Sequence, residues 1–180
     1  FVQWDVEYAS FYLYKKANDP LLYAGPIWDF DLTCGKLNYG YYPELTHQVQ
    51  WLDDTQGRWL TQLGTYPDFA EYTKNQYCDV FSPALSHFLT NEFSDIITPI
   101  VPALEMNALR WDKDDMSLDT IKTMYNWISE RQAFLDAYYA NPDNYHKVTF
   151  FFFFDSITYY AEKNTPLDFL PRQQYGHVAE

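Results

Sequence analysis

Two acids flank one aromatic in the segment Gly25-Pro26-Ile27-Trp28-Asp29-Phe30-Asp31-Leu32. From Trp28 onward apolar and acidic residues alternate. In extended backbone, that period of two puts Asp29 and Asp31 on one face and Trp28, Phe30 and Leu32 on the other. Paired carboxylates at the end of a strand make a hard, oxygen-rich site. Mg²⁺ takes such a site through one or two carboxylates, with phosphate oxygens and water completing its shell. Phe30 between them would anchor the strand in the core and hold the carboxylates outward. The same alternation also describes an ordinary solvated strand face, since Asp is found at strand ends.

A third carboxylate, Asp5, precedes a stretch that reads as a hairpin. Ser10–Tyr14 is aromatic and strand-like, and Leu21–Ala24 is a second apolar run. Lys15-Lys16-Ala17-Asn18-Asp19-Pro20 between them carries turn chemistry. A hairpin folds back, so the chain entering it and the chain leaving it meet at one end. An acid on the entering loop and a metal-binding acid on the leaving loop is the arrangement protein kinases use. There the first orients the attacking hydroxyl and the second holds magnesium on the nucleotide phosphates. Asp5 reads equally as a surface acid.

The remaining elements are helical. Arg58–Leu63 is a short helix ended by Gly64. Pro67-Asp68 opens another that runs to about Phe81, since Pro in the first turn beside an acid marks a helix start. Leu85–Ile97 is a third helix, after which Pro99 and Pro102 are expected to break or kink the chain. A fourth helical stretch ends at Trp111. The strongest pattern spans Ser117 to about Tyr139, where Leu118, Ile121, Met124, Ile128, Leu135 and Tyr138 form one apolar stripe. Ser117 is suited to the N-cap, Asp119 to the positive end of the helix, and Asn141-Pro142-Asp143 to its termination. Glu130-Arg131 reads as a pair on the helix surface. Lys147-Val148-Thr149 leads into five consecutive Phe, 150 to 154, which fit a strand buried on both faces. The tail from Asn164 is polar and expected to be poorly ordered.

Composition narrows the chemistry. Twenty-five acids against 12 bases leave a formal charge of −13 over 180 residues, which argues against a phosphate backbone as partner. At 47% hydrophobic and 21% aromatic the chain can build a core. It has no run of about 18 apolar residues able to span a bilayer. Cys34 and Cys78 are too few for a disulfide framework and lack zinc-ligand spacing, so they read as isolated small core residues. His47, His87, His146 and His177 are scattered. There is no Gly-x-Ser-x-Gly elbow and no Gly-rich phosphate loop. The chain opens on Phe1-Val2-Gln3-Trp4, with no initiator Met and no leader-like run, and an upstream segment is expected.

Ser10-Phe-Tyr-Leu-Tyr-Lys15, Leu22-Tyr-Ala-Gly-Pro-Ile-Trp-Asp-Phe-Asp-Leu32 and Gly35-Lys-Leu-Asn-Tyr-Gly40 resemble the CotH-type (spore coat protein H) atypical protein kinases. Looser matches follow in order at Trp59–Leu63, Pro67–Phe69, Asn107–Trp111, Trp127–Arg131 and Phe134-Leu135, so the resemblance covers roughly residues 1–148. It implies an α+β, mainly helical fold: a protein-kinase-like C-lobe that begins with a β-hairpin carrying the metal motif, with the amino lobe and its nucleotide-binding lysine missing. Residues 149–180 would lie outside it as a strand-like Phe run and a tail. The implied activity is phosphoryl transfer from ATP, with Mg²⁺ or Mn²⁺, to Ser or Thr of a protein substrate. Asp5 matches the catalytic base, Asp29 the metal-binding acid and Asp31 the second acid of the motif. Gln3, Lys16, Cys34 and Lys36 depart from the family pattern. The resemblance also implies a secreted, cell-surface, cell-wall or spore-coat location, with no nucleic-acid partner and no membrane span. The rival reading is a non-catalytic surface or adhesion module derived from the kinase fold, in which aromatic loops such as Tyr39-Gly-Tyr-Tyr42 contact a carbohydrate or protein.

Overall fold

The computed structural model describes residues 12–30, 33–34, 59–111, 118–151 and 156–166. Leu13–Lys15 (β1) and Leu22–Ala24 (β2) pair antiparallel, with Leu13 opposite Ala24, Tyr14 opposite Tyr23 and Lys15 opposite Leu22. The turn between them is built by Asn18 and Asp19. Asn18 takes a φ of 60°, a left-handed conformation its short polar side chain tolerates. The Asp19 carboxylate accepts the Leu21 N–H at 2.9 Å, imitating a backbone turn. The expected hairpin is therefore present.

Trp59–Gly64 (α1) ends at the predicted glycine, and Pro67 then opens a helical path that continues as far as Trp111. It is assembled from Pro67–Gln76 (α2), a π-turn at Tyr77–Phe81, Ser82–His87 (α3), a second π-turn at Phe88–Glu92, Phe93–Ile97 (α4), a 3-10 turn at Thr98–Ile100 and Val101–Trp111 (α5). The expected stops after Phe81 and Ile97 are changes of helix type instead. Pro83 has no N–H for the Asp79 carbonyl, and its ring would collide with that carbonyl in a regular helix. The turn ahead widens, so that the Ser82 N–H donates to Tyr77 O, and the helix continues. Pro99 and Pro102 fall in the opening turns of the 3-10 segment and α5, where a missing N–H costs little.

Leu118–Ala140 (α6) is the long helix expected from the apolar stripe, and a 3-10 turn at Pro142–Asn144 ends it; Ser117, its proposed cap, lies outside the described residues. Tyr145–Phe151 (β3) and Ser156–Glu162 (β4) form a second antiparallel hairpin, with Val148 opposite Tyr159 and Thr149 opposite Thr158. Among the described residues the chain is thus mainly helical with two small antiparallel hairpins, and β3 crosses residue 148.

α6 is the axis of packing. Trp127 and Ile128 form a buried centre against which Leu85, Leu89, Met124 and Cys34 pack. On another side, Phe134 and Tyr138 meet Tyr145 of β3 and Tyr160 of β4, with ring centroids 4.7 to 6.3 Å apart. Strand burial differs from expectation. Phe151 is 82% exposed, whereas Thr158 and Tyr159, adjacent residues on opposite faces of β4, are both buried. The strand covered on two faces is β4, and Phe152–Phe154 lie outside the described residues.

Polar groups complete the seam between α3 and α6. The Gln132 amide donates to Ser82 O at 2.8 Å, Ser82 Oγ at 2.9 Å and Ser86 Oγ at 2.6 Å. Ser82 Oγ and Tyr77 OH both donate to Asp136 Oδ1, at 2.8 and 2.9 Å. Arg131, expected on the surface, is only 4% exposed, and its guanidinium lies 5.5 Å from the centre of the Phe134 ring. Burial pulls Arg131 down to about 10, while Tyr139, Tyr160 and Tyr77 act the other way.

Removing one partner from a buried network leaves the others desolvated and unmatched, at about 1–3 kcal/mol. Gln132→Leu is therefore expected to lower the unfolding free energy by about that much in urea titrations, and Tyr77→Phe by about 1 kcal/mol. An unchanged midpoint for Gln132→Leu would show the seam is not held this way. Burial also raises Tyr77, Tyr160 and Tyr139, the last to about 12. The unfolded chain loses those protons first as pH rises past about 10. Stability held below pH 10 is thus expected to fall between about pH 10 and 12, and Tyr139→Phe to flatten that fall in unfolding curves recorded across this range.

Candidate functional site

The segment following β2 carries the acidic motif. Its start is tied to the entry of the hairpin, because the Gly25 N–H donates to Tyr12 O at 2.9 Å. Gly25 has a φ of 132°, a conformation closed to residues with a Cβ, and the Gly25-Pro26 peptide is cis. A Cβ built at Gly25 would lie 4.0 Å from Tyr14 Cε1. Tyr14 in turn stacks on Tyr23 with centroids 5.3 Å apart, and the Lys16 ammonium covers the Tyr23 ring at 4.4 Å. Tyr23 OH donates to Asp19 Oδ2 at 2.7 Å, and Lys15 Nζ donates to the Asp19 carbonyl. That hydroxyl, with the Leu21 N–H, holds the Asp19 carboxyl below its usual range. The hairpin is small, and these contacts make up for the brevity of its ladder.

Beyond Gly25 the structure departs from the alternating strand expected over residues 27–32. Residues 25–30 pair with no strand among the described residues, and Asp29 has a φ of 59°. A left-handed residue breaks the period of two at Asp29. Asp tolerates this conformation better than most side chains do. Ile27, Trp28 and Phe30 are exposed instead of forming a buried face, and the Asp29 residue between them is exposed as well.

The far end of the segment is anchored in the helical part of the molecule. Thr33 Oγ1 donates to Phe30 O at 2.6 Å and lies 3.5 Å from Cys34 Sγ, and Cys34 packs against the Trp127–Ile128 centre of α6. Asp29 is therefore held between a hydrogen bond to the hairpin and an apolar contact to the long helix. Burial is the largest influence on the Cys34 thiol and raises its pKa. Cys78, read as a core residue, is exposed.

Of the three acids singled out, the structure places Asp29; Asp5 and Asp31 lie outside the described residues. Among the described residues no three His, Cys, Asp or Glu side chains gather as a metal-holding group. The exposed Asp29 carboxylate is the hard oxygen donor a divalent cation requires, and Mg²⁺ needs only one or two such groups when nucleotide phosphates supply the others. Sequence reasoning missed the network in which buried Tyr77, Ser82 and Gln132 meet the more exposed Asp136, and it missed the burial of Arg131. Only the helical spacing of Ser82 and Ser86 on one side, and of Gln132 and Asp136 on the other, hinted at it. No helix among the described residues is long and apolar enough to cross a membrane. No protein-family model, curated protein or solved structure matches the chain.

The two thiols are expected to separate in labelling. In the native chain Cys78 is expected to react with a disulfide reagent about tenfold faster than Cys34, because Cys34 is half-buried and burial disfavours its thiolate. In denaturant the two rates converge. Equal native rates would detach Cys34, and with it this end of the segment, from the α6 centre.

Proposed function

We infer that the chain is the carboxylate-bearing part of an ATP-dependent protein Ser/Thr kinase of the CotH type. The observation that carries this reading is the Gly25–Tyr12 hydrogen bond. It ties Gly25, where the acidic segment leaves the hairpin, to Tyr12 at the hairpin's entry, and the kinase reading requires a catalytic acid to come to that same end, a place for which Asp5 is the sequence candidate. Two further features support it: the left-handed, exposed Asp29, a conformation that proteins retain at functional positions at a cost of about 1–3 kcal/mol, and the Gly-Pro-Ile-Trp-Asp-Phe-Asp sequence itself.

On this reading the mainly helical body is a kinase-like C-lobe. Asp5 accepts the proton of a Ser or Thr hydroxyl as that oxygen bonds to the γ-phosphorus of ATP and the bond to the ADP oxygen breaks. Asp29, with Asp31, would hold Mg²⁺ or Mn²⁺, which supplies positive charge against the phosphates when bound. Positioning and electrostatics then do most of the catalytic work, and the backbone of residues 25–30 serves to aim one carboxylate.

Asp29→Asn tests the assignment, because Asn keeps both the size and the tolerance of a left-handed backbone while removing the charge. Radiolabel transfer from ATP to a protein acceptor by the intact protein is expected to drop by about a hundredfold or more. The urea unfolding midpoint should stay where it was. In the wild-type protein, ATP with Mg²⁺ raises the melting temperature by mass action, and Asp29→Asn abolishes that rise. Undiminished labelling by the variant removes Asp29 from the mechanism.

A further inference from the structure

α5 shows two different faces. Val101, Leu104, Asn107 and Ala108 are half-buried on one side, where Val101 lines a groove with Leu118, Ile121 and Tyr125 of α6. The opposite side carries Pro102, Met106 and Leu109, all exposed, with Met106 at 72% and Leu109 at 86% exposure. These three recur at helical spacing and form one narrow apolar seam. Single exposed apolar residues on a monomer need no explanation, but a seam of large side chains flanked by charge does.

The flanking charges are Glu105 and Arg110, one on each side of the seam. Five positions apart, they point about 140° away from each other round the helix, so they cannot pair within one chain. Among the described residues, the Arg110 guanidinium lies over its neighbour Trp111, whose ring centre is 5.1 Å away. When two identical helices lie parallel about a two-fold axis, each flank of one faces the opposite flank of the other. A residue just before the seam position then meets the partner residue five places further on. Glu105 of one chain would face Arg110 of the other, and the symmetry makes that pair twice, while Met106 packs on Met106 and Leu109 on Leu109.

We propose that this face of α5 is a parallel, two-fold contact between two copies of the chain, closed by reciprocal Glu105–Arg110 ion pairs. The seam is short, so the contact belongs with weak, concentration-dependent interfaces, which bury less than roughly 1,200 Å². This inference stands apart from the phosphoryl-transfer reading, since it uses no residue of the Asp29 segment.

Sedimentation equilibrium of the full 180-residue chain tests it. The wild-type chain is expected to dimerise reversibly, and Leu109→Lys to remain monomeric with an unchanged far-ultraviolet spectrum. Glu105→Arg and Arg110→Glu, made singly, set like charges opposite each other and weaken association by about tenfold each. The double swap Glu105→Arg/Arg110→Glu restores it to within about threefold of wild type. Added salt weakens the wild type and the double swap alike. A wild-type chain that stays monomeric at every concentration overturns the proposal. So does a Leu109→Lys variant that dimerises normally, or a double swap no better than the single changes.

Discussion

A glutamine amide buried between two helices must find acceptors on both sides or cost more than it contributes. Gln132 finds three, all on Ser82 and Ser86 of α3. Ser82 closes the circuit by donating to Asp136, one helical turn on from Gln132 along α6. This constraint sets the relative register of the 67–111 helical path and α6, because only one axial position satisfies all the groups at once. Other parts of the molecule are referenced to α6 as well: Trp127 and Ile128 receive Leu85, Leu89 and Cys34, and Phe134 and Tyr138 receive the β3–β4 hairpin.

The two π-turns serve the same register. A regular helix of about 3.6 residues per turn drifts round its axis, so residues meant to face one neighbour gradually turn away. Widening the helix at Tyr77–Phe81 and again at Phe88–Glu92 resets that drift, so that Tyr77, Ser82, Leu85, Leu89 and Phe93 all reach α6 or its neighbours. Pro83 explains the first widening. The second, which has no proline, carries a distorted φ of −117° at Glu92.

The acidic segment is held by borrowed order. It has no strand partner among the described residues, and its conformation rests on Gly25 at one end and Cys34 at the other. The stack of Lys16, Tyr23 and Tyr14 supports the Gly25 end. The backbone path at Asp29 is therefore a consequence of where the hairpin and α6 lie, and not of local β propensity.

The hairpin turn, the helix start at Pro67 and the helix ends at Gly64 and Asn141-Pro142 were legible from residue type, whereas the ends expected at Phe81 and Ile97 and the start expected at Leu85 were not. Asn18-Asp19-Pro20 could make little but a turn, Gly64 and Asn141-Pro142 could only end helices, and the Leu118–Tyr138 stripe required a partner. These are effects of backbone conformational freedom and hydrophobic periodicity, and they act over a few residues. β4 was missed although Ile157, Thr158, Tyr159 and Tyr160 have strand-forming side chains, because its pairing with β3 is what gives them a role. The burial of Arg131 and Gln132, the exposure of Phe151 and Cys78, and the left-handed Asp29 were not legible either. Polarity forecasts burial only on average, and a charged or amide side chain can lie inside when groups distant in sequence meet its hydrogen bonds. Local chemistry thus determined the first hairpin, the turns and the course of the longest helix. Tertiary packing alone decided which faces are hidden and how the candidate carboxylate is aimed, because both depend on partners roughly 50 to 100 residues away, whose positions no short-range rule contains.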